Sequence, residues 1–190
     1  MKKHYSEVFG YYNTNFEIDK IAELAIGRKR ALEIGCFIGK STVAIAANAE
    51  RVTTIDPFDC HHSDINKDGN LDRSKEGFNN LPAYLDNIKG YDNIRYFVGL
   101  SQEFLPLFLN NETFDYIFID GDHSYEGVLS DLKLCWPLLE EGGVLVLHDY
   151  GNVNGYLLGI KKAFDECFDS YDGLQDTVVW KIKRGEKIES

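Results

Sequence analysis

The sequence predicts an α/β fold, a mostly parallel sheet with helices on both faces, and three observations carry that expectation. Short β-rich apolar runs alternate with stretches of helical period along the chain. Phe114 to Ile119 (FDYIFI) holds almost no polar residue, as a strand covered on both faces requires. Arg30 to Ala47 (RALEIGCFIGKSTVAIAA) passes from an apolar strand through a glycine-bearing turn into a small-residue helix. That is how α/β proteins hold a nucleotide, with glycines admitting the ligand to the backbone and a helix start offering N–H groups.

Taken in order, residues 1–15 are polar and aromatic without a period and are expected to form an N-terminal arm ahead of one domain spanning 16–190. Ile18, Ile21, Ala22 and Ala25 recur at helical spacing until Gly27 stops the helix. Ala31 to Ile34 is the first strand and Ser41 to Ala49 its helix. Arg51 to Ile55 is a strand halted by Asp56-Pro57, and the polar 58–75 segment is longer than an ordinary connection, which marks a functional loop. A helix is predicted over Glu76 to Ile88, with Pro82 as a kink or break. Ile94 to Val98 is a strand, Ser101 to Leu109 a short helix, and Phe114 to Ile119 a strand ending at Asp120-Gly121-Asp122-His123. Val128, Leu132, Cys135 and Leu139 form a helical stripe, Gly142-Gly143 turns into the strand VLVL, and His148-Asp149-Tyr150 closes it. Ile160, Phe164, Cys167 and Phe168 mark a further helix, and Thr177 to Ile182 a last strand paired with a short one near Tyr171.

The 190 residues suffice for one well-buried core, and 44% hydrophobic with 27% charged residues is an ordinary soluble composition. A net charge of −11 argues against a nucleic-acid or anionic-membrane partner, which calls for a basic face. The four cysteines include no C-x-x-C pair, which argues against a disulfide framework or a thiolate zinc site. No apolar leader or bilayer-length run is present, so a cytoplasmic location is expected. Tyr5, Phe9, Tyr11 and Tyr12 suit a lid or an interface between copies of the chain.

In parallel sheets ligands bind beyond the C-terminal strand ends. Glu33, Asp56, Asp120, His148 and Asp149 all fall at such ends, so they should converge on one rim. The turn Glu33-x-Gly35-x-x-x-Gly39-Lys-Ser41 has one residue too few between its glycines for a phosphate loop, and Glu33 would repel phosphates. Phe37 breaks the dinucleotide fingerprint. An acidic residue here suits a ligand carrying a cation, and Asp56, about 20 residues on, can accept ribose hydroxyls. Asp120, Asp122, His148 and Asp149 offer oxygen and imidazole ligands for a divalent ion, or a general base, while Asp122 or His123 could instead cap the next helix. Residues 64–72 match the first nine positions of an EF-hand loop, but Lys75 replaces the bidentate glutamate at position twelve, which argues against Ca²⁺ in the 64–76 loop.

Glu33 to Ser41, Asp56-Pro57, I-D-G-D-H-S-Y-E (119–126) and G-G-V-L-V-L-H-D-Y (142–150) resemble class I S-adenosylmethionine-dependent methyltransferases. The branch is similar to metal-dependent sugar O-methyltransferases. The resemblance implies a Rossmann-like three-layer sandwich whose seven strands run 3-2-1-4-5-7-6, the last antiparallel. It implies S-adenosylmethionine held by Glu33, Gly35, Gly39, Ser41 and Asp56, with Ser101 at the adenine. It also implies a divalent metal such as Mg²⁺ on Asp120 and Asp149, and Asp122 taking the proton of a small-molecule hydroxyl. Here His148 stands where those enzymes carry an aspartate, as a metal ligand or a second base. A non-catalytic binding module and a nucleotide-hydrolysing protein are the alternatives.

Overall fold

A computed structural model describes residues 2–8, 15–59, 79–109, 111–151 and 158–185. The 64–76 loop, Phe9, Tyr11 and Tyr12 lie outside these residues. Seven strands form one sheet in the order β3-β2-β1-β4-β5-β7-β6. They are β1 (Ala31–Ile34), β2 (Val52–Asp56), β3 (Ile94–Val98), β4 (Phe114–Ile119), β5 (Leu139–Leu147), β6 (Gly173–Gln175) and β7 (Val178–Ile182). The pairs β1–β2, β2–β3, β1–β4 and β4–β5 are parallel; β7 runs antiparallel to both β5 and β6. The predicted strand order and antiparallel last strand are therefore found.

Period-two alternation along the central strands sorts side chains between two helix layers. Leu32, Ile34, Ile117, Ile119, Leu145 and Leu147 pack on α4 (Ser101–Phe108), α5 (Tyr125–Cys135) and α6 (Leu158–Cys167). Ala31, Tyr116, Phe118, Val144 and Val146 face α1 (Asn15–Leu24) and α2 (Lys40–Ala46). Tyr84 of α3 (Leu81–Asn87) packs with Val43, Ile88 and Val8. Residues 2–8 are tied to this frame: Tyr5 donates to Asp19, Lys3 pairs with Asp86, and Tyr91 donates to the Lys3 carbonyl.

Several boundaries differ from the sequence expectation; the helix expected over Ser41 to Ala49, for one, runs Lys40–Ala46. Pro82 lies in the first turn of α3, where its missing N–H costs nothing, so it opens that helix instead of kinking it. The stripe ends at Cys135, because Pro137 turns the chain through a 3-10 segment at Trp136–Leu138, and Leu139 is the first residue of β5. Gly142-Gly143 accordingly lies inside β5, at an irregularity in its pairing with β4, instead of forming a turn before it. Strand two includes Asp56, whose carbonyl accepts the Gly99 N–H.

Candidate active site

The glycine turn is built where β1 stops. Gly35 has φ +79, and a Cβ there would stand 2.2 Å from the Asp120 carbonyl oxygen, so only glycine lets the β1 and β4 ends approach this closely. Gly39, at φ +91, starts α2. Asp56 reaches across from β2 and gathers the turn: one oxygen accepts from Cys36 N (2.7 Å) and Phe37 N (2.9 Å), the other from Phe58 N (2.6 Å). Burial raises the Asp56 pKa against these three N–H groups. The residue expected at the ribose is thus also the clasp of the turn.

Glu33 is fully buried on the α2 side. Its Oε2 accepts from Thr42 Oγ1 at 2.5 Å, while Oε1 is buried without a hydrogen-bond partner among the described residues. Desolvation pushes its pKa up to about 8, and the Ser41 and Thr42 hydroxyls pull against that rise. A buried, half-satisfied carboxyl is costly. The residues fit a cationic ligand: an ammonium group brought to Glu33 would supply both the missing donor and the countercharge. Ser101, buried at the start of α4, donates to Asp131 of α5 at 2.5 Å.

At the ends of β4 and β5 the structure brings together Asp120, His123, His148 and Asp149. His148 Nδ1 lies 3.3 Å from both Asp120 Oδ1 and Asp149 Oδ2, and its Nε2 3.7 Å from Glu17 Oε2. His123 Nε2 is 3.3 Å from Asp120 Oδ1 and 3.8 Å from Asp149 Oδ2. Burial alone would lower both imidazole pKa values, but the carboxylates outweigh it and raise them. Burial alone would raise the Asp120 pKa, and the two histidines more than reverse it, holding the carboxyl well below its usual range.

Asp120, His123 and Asp149 offer one donor atom each within 4.8 Å of one another, a spacing that fits a divalent ion. Of the predicted metal set, Asp120 and Asp149 belong to this group, and His148 lies between them on the buried side. Two carboxylates and an imidazole suit Mn²⁺, Fe²⁺ or Zn²⁺ better than Mg²⁺. Asp122 stands beside the group; its Oδ1 accepts from Ser124 N (2.9 Å), and its carboxyl packs on Gly127. Ser124, through the Gly127 N–H, is the N-cap of α5, so neither Asp122 nor His123 is needed for that task.

Sequence reasoning passed over four participants. His123 was visible in D-G-D-H as a helix cap, whereas Glu17, Thr42 and Asp131 carry no local signal. Glu17 is fully buried in the first turn of α1, and its Oε1 accepts from Thr177 at 2.5 Å. Only the fold delivers it to His148.

Residues 32–150 match a methyltransferase domain. An uncharacterized protein, R132, of Acanthamoeba polyphaga mimivirus is 30% identical over 123 residues, 63% of this chain and 50% of that protein. The chain thus spans about half the length of the curated relative it matches. Among solved structures, cofactor-bound Rv0187 from MTB aligns at TM-score 0.64 and 18% identity, covering 95% of this chain and 85% of that one. An O-methyltransferase from Bacillus cereus in complex with SAH aligns at TM-score 0.61 and 19% identity, covering 94% and 86%. Among the described residues no helix is long and apolar enough to cross a membrane. With a family match over more than half its length and the sheet order found above, this chain belongs to the methyltransferase-domain family.

Proposed function

We propose that the chain transfers a methyl group from S-adenosylmethionine to the hydroxyl of a small molecule, sugar hydroxyls among the candidates, with a divalent ion assisting. The observation that carries this is Glu33: a buried carboxyl with one oxygen lacking a partner, beneath a glycine turn. The Bacillus cereus relative with SAH bound supports the same donor. When bound, the donor supplies a methyl group on a sulfonium, already an excellent leaving group. What remains for the protein is to position the acceptor and take its proton.

Glu33 would meet the donor's cation, Gly35 and Gly39 let the turn pack closely on Asp120 and Tyr84, with Ser41 at the start of its helix, and Asp56 would accept from ribose hydroxyls while clasping that turn. Asp120, His123 and Asp149 would hold the ion, which would lower the acceptor hydroxyl's pKa. Asp122, on the adjoining turn, would take the proton. His148, buried between Asp120 and Asp149, would fix the distance between those carboxylates and stands as the second candidate base.

Equilibrium binding separates this reading from a nucleotide-hydrolysing protein: S-adenosylmethionine should bind and ATP should not. A methyl-transfer screen over sugars, catechols and small acids separates it from a non-catalytic module. Asp122→Asn should lower kcat about 100-fold or more with donor affinity unchanged. Chelator should abolish turnover and added Mn²⁺ restore it; full turnover in excess chelator would remove the ion from the mechanism.

A further inference from the structure

Glu17 is a fully buried carboxyl that the reaction proposed above does not use. It comes from the first turn of α1, and its Oε1 accepts from Thr177 Oγ1 at 2.5 Å. The Thr177 carbonyl in turn accepts the Tyr150 N–H at 2.9 Å, so one residue holds both α1 and the chain just past His148-Asp149. Glu17 Oε2 stands 3.7 Å from His148 Nε2. An acid at this depth is a poor choice for stability alone, since an apolar side chain of similar volume is often as good or better. Its usefulness lies in what it does to the imidazole.

A neutral imidazole carries its one N–H on one ring nitrogen and a lone pair on the other. A carboxylate accepts and cannot donate, so Glu17, held by Thr177, favours the N–H of His148 on Nε2. The lone pair on Nδ1 then faces Asp120 Oδ1 and Asp149 Oδ2, each 3.3 Å away, which is favourable only with a cation among the three. The distances agree. A charge-assisted N–H···O bond is about 2.7 to 2.9 Å long, whereas donor atoms sharing one ion at about 2.0 to 2.2 Å stand about 3 to 3.5 Å apart. Both 3.3 Å separations belong to the second class. A metal-bound histidine almost always gives its other N–H to a carboxylate, a carbonyl or water, which fixes the tautomer and the orientation of the ring. Resting on the ion of the function proposed above, we propose that Glu17 is a positioning residue that keeps the His148 N–H on Nε2, so that Nδ1 joins Asp120, His123 and Asp149 as a fourth ligand. Proton transfer is thereby left to Asp122.

The experiment is a double-mutant cycle on Mn²⁺ affinity, read by calorimetry on the full chain with neither methyl donor nor acceptor present. Glu17→Leu, close to the native volume, should weaken Mn²⁺ binding about 10- to 100-fold in the wild-type background. In a His148→Ala background the same change should cost less than about twofold, because its effect passes through that ring. A carboxyl that merely supports the fold lowers affinity by the same factor in both backgrounds, so equal losses, or no loss in either, overturn the proposal. Should Glu17→Leu fail to fold, Glu17→Gln takes its place in the same cycle, and equal losses again overturn it. Should His148→Ala fail to fold, histidine ¹⁵N spectra of the Zn²⁺-loaded chain decide. Wild type should show His148 bound through Nδ1 and protonated on Nε2, a pattern that the Glu17 variant loses. A His148 that is unligated, bound through Nε2, or unchanged in the variant overturns the proposal. Wild type that binds Mn²⁺ with equal losses in the cycle sinks this inference only; wild type that binds no Mn²⁺ sinks the ion-assisted reading with it.

Discussion

Glu33 enters the folded chain with a carboxyl pushed up to about 8, so near pH 7 most molecules carry it protonated. Meeting a cation restores its charge. Binding of S-adenosylmethionine at pH 7 is therefore expected to release close to one proton, read as a dependence of the calorimetric enthalpy on buffer ionisation heat. Glu33→Gln should abolish that dependence and weaken binding about 10- to 100-fold; a dependence that survives would assign the proton elsewhere. The same residue bears on stability. Glu33 and Asp131, the latter pushed up to about 7 by burial, both titrate higher folded than unfolded. Their burial is cost-free while both states are protonated, below about pH 4, and penalises the fold increasingly from there until pH passes the folded values near 7 and 8, where the penalty is complete. The melting temperature of the ligand-free protein should fall from about pH 4 to about pH 8 and level off above that. Asp131→Asn should flatten part of that fall and raise the melting temperature at pH 8.5 relative to wild type. Glu33 was legible in the sequence because a charge inside ALEI is conspicuous. Asp131, at a polar-looking position of SDLKLC, was not, since its meaning depends on Ser101 thirty residues earlier.

The elements show where local pattern suffices. β1, β3 and β4 begin and end where their apolar runs do, because each is bracketed by turn residues or a charged strand end. β5 does not: the helical period reaches Leu139 by coincidence, and three-dimensional pairing with Phe114 claims that residue for the sheet. Pairing across 25 residues of sequence leaves no local trace. The glycine turn carries the sharpest element-level expectation. Gly35→Ala would bring a methyl carbon to 2.2 Å from the Asp120 carbonyl at a left-handed φ. Since neither backbone can yield without parting β1 from β4, it should cost about 3 kcal/mol or more, seen in urea unfolding. Gly142→Ala, with a positive φ but nothing within 4 Å, should cost only about 1 kcal/mol. Equal losses would show that conformation, and not the close approach, governs Gly35.

At the level of the molecule, strand order was the most securely legible property. Alternating strands and helices gave a mostly parallel sheet, and the resemblance to class I methyltransferases implied the order that is found. The placing of Glu33, Asp56, Asp120, His148 and Asp149 at the C-terminal ends of parallel strands follows from that winding. The partners gathered around them do not, because they arrive from α1, α2 and the β7 approach. One such contact has a consequence for how the protein comes into being. Glu17, near the beginning of the chain, holds Thr177, near its end, and the same carboxyl flanks His148. During synthesis the first helix must therefore wait for β7 and its approach before its acid gains the Thr177 hydroxyl. A nascent polypeptide halted ahead of residue 177 would lack the hydroxyl that holds Glu17 beside His148 and the strand that pairs with β5, so the strand-end cluster takes its final form only once β7 has been made.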